Sequence, residues 1–138
     1  MAFAETRLDN REVRGDCGIK IVVSETGIVA GDCLGVSGGT WVLSAHTTGE
    51  QPLLIAGNAA TTGDTITAYP MGIVKVVTTA TNVSTVGEKV GYADTGFYEA
   101  DSAGVDPDVG HVASIGSDSL SATMFLLPLG PQLTTTRA

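Results

Sequence analysis

"VGEKVGYADTGFYEADSAGVDPDVGHVASIGS", residues 86–117, sets glycines, carboxylates and one histidine between short apolar runs. Two short runs, "GEKVGYAD" and "FYEA", flank Thr95-Gly96, which predicts a strand, a tight turn and a second strand. A loop then leads to a further strand in "GHVASIG". The same residues also admit a chemical reading, because Asp94, Glu99, Asp101, Asp106, Asp108 and His111 gather carboxylates around one imidazole. A calcium loop needs oxygen ligands at nearly every second position around a glycine-centred turn, and "DSAGVDPDVG" lacks that spacing. A zinc site needs three or four His or Cys ligands, whereas His46 and His111 are the only histidines. The acids are therefore read as loop residues on an acidic surface, and no metal or cofactor is expected.

Outward from this stretch the pattern repeats. "GIKIVVS", "GDCLGV", "TWVLSAH", "PLLIAG", "DTITAY", "GIVKVVTT" and "SATMFLLPL" are β-branched or apolar runs bounded by Gly, Asn, Asp, Ser or Pro. Aromatics make up only 5% of the chain, so its core must rest on Val, Ile, Leu and Ala. These features predict an all-β fold over residues 18–129. At most one or two short helical turns fit, and "LIAGNAAT", through Ala59 and Ala60, is the place allowed one. "AGDCLGV" (30–36), "TGDTITAY" (62–69) and "VGEKVGYA" (86–93) each set a glycine and an acid ahead of an alternating run. That recurrence predicts turns whose glycine takes positive φ and whose acid is exposed where a strand begins.

The net charge of −8, with seven Lys and Arg in all, argues against a nucleic-acid partner, since phosphate binding draws on clustered cations. No apolar run approaches the roughly 20 residues of a membrane helix. The charged start "MAFAETRLDNREVRGD" is unlike a signal peptide, so synthesis in the cytoplasm and no membrane partner are expected. Arg7, Arg11, Arg14 and Lys20 offset Glu5, Asp9, Glu12 and Asp16, which leaves the whole negative charge on the remainder. Residues 1–17 carry isolated Phe3, Leu8 and Val13 with no clear period. They are read as an N-terminal arm that orders against a partner, with a docked first strand as the other reading. Residues 130–138 are read as a flexible tail. Cys17 and Cys33 are expected as two buried thiols, with a pairing between neighbouring strands left open.

"GVSGG" at 35–39 fits the nucleophile-elbow pattern G-x-S-x-G, and His111 with Asp94 or Asp106 follows Ser37 in the elbow's chain order. The elbow needs a helix after the serine. Ser37 is followed by "GTWVLSAH", a strand pattern, so a hairpin turn is expected instead and an enzyme is not. A small serine hydrolase is the remote alternative.

Five pieces in order carry a resemblance: Gly87-Glu88-Lys89-Val90, Asp94-Thr95-Gly96, Phe97-Tyr98-Glu99-Ala100, Asp101-Ser102-Ala103-Gly104 and Gly110-His111-Val112-Ala113-Ser114-Ile115-Gly116. Their succession resembles the small head decoration proteins of tailed bacteriophages, the lambda-type decoration protein and related capsid-cement families. The likeness runs over residues 28 to 128 and is tightest from 86 to 127. It implies a compact, barrel-like β-tulip body that forms a homotrimer on the outer surface of the virion head, made in the host cytoplasm, with an extended arm that lies on the major capsid protein and joins capsomers. On that implication Phe3, Leu8 and Val13 anchor the arm, while Arg7, Arg11 and Arg14 meet acids of the shell. Trp41, Tyr69, Phe97 and Tyr98 are the candidates for a trimer seam, where aromatics are enriched. A tail-tube, spike or fibre-head module of a virion shares the same β-rich style.

Overall fold

The computed structural model describes residues 3–78, 85–100, 106–117 and 119–128, apart from the side chains of Arg7 and Asp9. The chain is all-β. Its strands are β1 (Glu5–Asp16), β2 (Ile19–Val22), β3 (Cys33–Ser37), β4 (Thr40–Leu43), β5 (Leu54–Ala56), β6 (Thr65–Tyr69), β7 (Met71–Thr78), β8 (Lys89–Tyr92), β9 (Tyr98–Ala100), β10 (Asp108–Ile115) and β11 (Ser121–Leu126). Among the described residues the single helical turn is a 3-10 turn at His46–Thr48. It is not at Ala59–Ala60, where Ala60 instead bridges Ile28.

One bent ribbon organises the molecule. β1 pairs with β7, and past a break at Cys17 and Gly18 the chain pairs again as β2 with β6, in the same register: Asp16 faces Met71 and Ile19 faces Ala68. Pro70 interrupts the other strand at the same level, where a residue without an N–H cannot continue the ladder. The two halves of the ribbon enter different sheets, one ordered β1-β7-β11-β10-β8-β9 and the other β2-β6-β5-β3-β4. The Tyr69 ring sits at the bend against Gly15, Gly18 and Gly57. A Cβ added at Gly15 would lie 1.9 Å from Tyr69 Cγ.

Each sheet then joins its own edges. An antiparallel bridge between Ala4 and Glu99, with the Ala100 amide donating to the Phe3 carbonyl, links the two ends of the six-stranded sheet. A parallel bridge between Val23 and Trp41 does the same for the five-stranded one. Closure satisfies backbone groups that an open edge would leave for another chain to pair with. Two apolar clusters fill the interiors. Phe3, Val74, Val76, Val90, Tyr92, Tyr98, Val109, Val112, Met124 and Leu126 lie in the first, and Ile21, Val23, Ile28, Leu34, Leu54 and Ile66 in the second.

The separate arm expected over residues 1–17 is corrected by this closure. From Glu5 onward the segment is a strand of the first sheet, and Phe3 is fully buried in its core. Its period had been hidden because the inward positions carry charge as well as apolar groups: Phe3, Glu5, Arg11 and Val13 point in, while Thr6, Asn10, Glu12 and Arg14 point out. Residues 130–138 lie outside the described residues.

The three recurrent Gly-acid pairs form one device. Gly31, Gly63 and Gly87 have φ of 87°, 92° and 89°, the left-handed value that favours glycine in a tight turn. In each turn the acid that follows closes the loop from both sides. The Asp32, Asp64 and Glu88 amides donate to the carbonyls of Val29, Thr61 and Thr85, and their carboxylates accept from the amides of those same three residues. Asp32 departs from expectation in being 2% exposed.

Candidate functional site

Arg11 lies where the two sheets meet. Its Nε donates to Glu5 Oε2 at 2.7 Å, its Nη1 to Asp32 Oδ1 at 2.6 Å, and its Nη2 to Glu5 Oε1 at 2.8 Å and to the Gly96 carbonyl at 2.7 Å. The guanidinium carbon stands 5.0 Å from the centre of the Tyr98 ring, a cation–π contact. Tyr92 donates to Asp32 Oδ1 at 3.0 Å, and the Tyr98 hydroxyl lies 2.5 Å from the Gly31 carbonyl and 3.4 Å from Cys33 Sγ. The two tyrosine rings meet edge to face with centroids 4.9 Å apart.

The Arg11 side chain is 1% exposed, so this network is an interior clamp and does not reach substrate or partner. Burial pushes the Glu5 carboxyl above its ordinary 4.5, although Arg11 and the Tyr98 amide oppose the shift. Burial likewise raises the Cys33 thiol to about 12 and lifts both tyrosine hydroxyls, so none of these groups ionises readily. Two expectations are corrected here. Arg11 and Phe3 cannot serve an exposed arm, and Tyr98, fully buried within one chain, cannot serve a seam between chains.

A second cluster joins three loops. His46 Nδ1 lies 2.6 Å from Asp94 Oδ1, and His46 Nε2 lies 3.5 Å from Asp106 Oδ1. Thr47 donates to Asp94 and, with His46, holds that carboxyl below its ordinary 3.8. Asp94 and Asp106, which chain order had offered to His111, thus lie beside His46. Ser37 closes the β3–β4 hairpin, opposite Thr40 across a two-residue turn of Gly38 and Gly39, both at positive φ. The strand β4 follows it directly where the elbow needs a helix, so the elbow geometry is not formed. Among the described residues no group of three or more His, Cys, Asp or Glu is placed to hold a metal ion. Cys17 is exposed and Cys33 buried, and both are free thiols, which corrects the pair of buried cysteines.

The remaining candidates fall as follows. Leu8 is half-buried, Val13 packs partly against the first core, and Arg14 is exposed on the outer face of β1. The Arg7 backbone pairs with Val77, and its side chain lies outside the described part. Trp41 packs against the second core, Tyr69 occupies the bend, and Phe97 is half-buried.

One exposed feature crosses the outer face of the first sheet. Arg14 stands opposite Ile73, Ile73 opposite Phe125, Phe125 opposite His111, and His111 opposite Lys89. Ile73 is 39% and Phe125 53% exposed, so two large apolar side chains sit side by side in water between cationic or titratable neighbours. No sequence reading had joined them, because the row runs across strands and its members are far apart in the chain.

No family model matches the chain, nor does any curated protein or solved structure. No helix of the described residues is long and apolar enough to cross a membrane.

Proposed function

We propose that this chain is a structural virion protein that binds the outer surface of a mature bacteriophage head as a homotrimer and cements neighbouring capsomers. The observation that carries the reading is the run of motifs over residues 86 to 127. Its described parts lie on four adjacent strands, β9, β8, β10 and β11, of one closed sheet. A self-closed β body suits a role that asks for complementary surface repeated by symmetry, with no catalytic step. With β1 folded into the body, contact with the major capsid protein falls to exposed side chains in place of an extended arm. Ile19, Val22 and Val36, exposed on the second sheet, are available for contact between copies. Three weak shell contacts on one trimer bind strongly because the second and third are effectively intramolecular.

Cosedimentation with expanded heads that lack the protein, alongside its solution mass by light scattering, tests the proposal. Saturable binding by a trimer is the expected result. A monomer that stays in the supernatant would sink it.

A further inference from the structure

The described Lys and Arg side chains are unevenly placed for a chain of net charge −8. Arg11 is buried, and Lys20 lies on the second sheet, donating to Thr67. The other three, Arg14, Lys75 and Lys89, all stand on the outer face of the first sheet, around the exposed Ile73–Phe125 pair.

A recess of about 320 Å³ lined by Glu12, Arg14, Ile73, Lys75 and Thr123 lies beside that pair. A second, of about 620 Å³, continues past Glu12 and Lys75 to Asn10, Val77 and Leu120. The second recess lies along the irregular stretch of β1. From Glu5 to Glu12 the β1 chain takes seven steps while β7 takes three, from Thr78 to Lys75, so β1 bulges out of the ladder on either side of Arg7.

We propose that this face is a docking surface for an extended acidic segment of a partner protein, one that carries apolar side chains between its acids. Charge complementarity selects the acids: Arg14 has no carboxylate partner among the described residues, and the Lys75–Glu12 and Lys89–Asp108 pairs are loose at 3.7 and 3.8 Å. The apolar pair in the middle of the row selects the apolar side chains. Curvature selects a segment over a rigid body, because a sheet closed on itself is convex outside and a bending chain can meet several strands at once.

Four strand spacings from Arg14 to Lys89 come to roughly 19 Å, the reach of about six extended residues. Nucleic acid is disfavoured by the acids interspersed with the three cations and by the overall charge. The inference does not depend on the partner being a capsid.

The test is an amide NMR titration of the full chain with two synthetic peptides, ETLTLTE and KTLTLTK. On an extended backbone each places two leucines and two charges on one side. The acidic peptide should shift the amides of Ile73, Phe125 and His111 saturably, and the basic one should bind about tenfold more weakly. Arg14→Glu should cost the acidic peptide about tenfold, and raising the salt should weaken it further. Phe125→Ser should weaken both peptides while leaving the far-ultraviolet circular dichroism unchanged, since the side chain is exposed. The idea is overturned by equal binding of both peptides, or by no shifts at this face up to about 1 mM peptide, the weak end of measurable association. It is also overturned if the protein alone forms oligomers that Phe125→Ser disperses, which would make a second copy the occupant.

Discussion

Arg11 and Arg14 stand three residues apart on β1 and meet opposite surroundings. Successive side chains of a strand point to opposite faces, so an odd separation sends one in and the other out. Arg11 binds Glu5, Asp32 and the Gly96 carbonyl in the interior, where each partner was drawn out of water to meet it. Arg14 remains in solvent beside Ile73. A start rich in arginine is thus not by itself an arm. One cation can lock a strand into a fold while its neighbour is left for contact.

Removal of the strand should have the largest effect. Deleting residues 1–14 takes away Phe3, Arg11 and the edge that closes the first sheet, so the product should lose the dispersed amide spectrum of a folded protein. A folded truncation would restore the arm. Next in size, Arg11→Ala strands two buried carboxylates and should cost about 3–5 kcal/mol in urea unfolding. Arg14→Ala, at an exposed site, should stay within about 0.5 kcal/mol. Equal losses would erase the distinction between the two residues.

Gly15→Ala probes the bend that separates the two environments. Its Cβ collides with the Tyr69 ring, which Gly18 and Gly57 hold on other sides, so a cost of about 1–3 kcal/mol is expected. A wild-type thermal midpoint would mean that the ring moves freely.

A smaller effect should appear with pH. The Glu5 carboxyl is raised in the folded state, so its contribution is fully present below the unfolded value near 4.5 and is lost as pH rises through the folded value. Asp94 has the opposite sign. Its lowered carboxyl contributes above 3.8 and is lost as pH falls through its folded value, outside the window of Glu5. Stability measured upward from pH 4.5 should therefore decline in the wild type and flatten in Glu5→Gln. A slope identical in the two proteins would remove Glu5 as its source.

Much of the architecture was legible locally. The β8–β9 hairpin, the Gly38-Gly39 turn and the three Gly-acid turns each depend on neighbours within about four residues, so sequence spacing reveals them. β1 was harder to read because its inward face mixes Phe3 and Val13 with Glu5 and Arg11, which hides the apolar alternation that marks a strand. Tyr92 and Asp32 drew no functional reading, since nothing near either names a partner. His46 stands nearly fifty residues from Asp94 in the chain and farther from Asp106, although both are its neighbours in space.

The all-β class and the turns that punctuate it follow from residues adjacent in the chain, because backbone conformation and side-chain alternation are local properties. The tertiary structure alone decided which charges are buried together and which stand on a face. Arg11 reaches Asp32 and Gly96, and Ile73 reaches Phe125, only once strands distant in the chain close in one register, and that register is fixed by the packing of the whole interior.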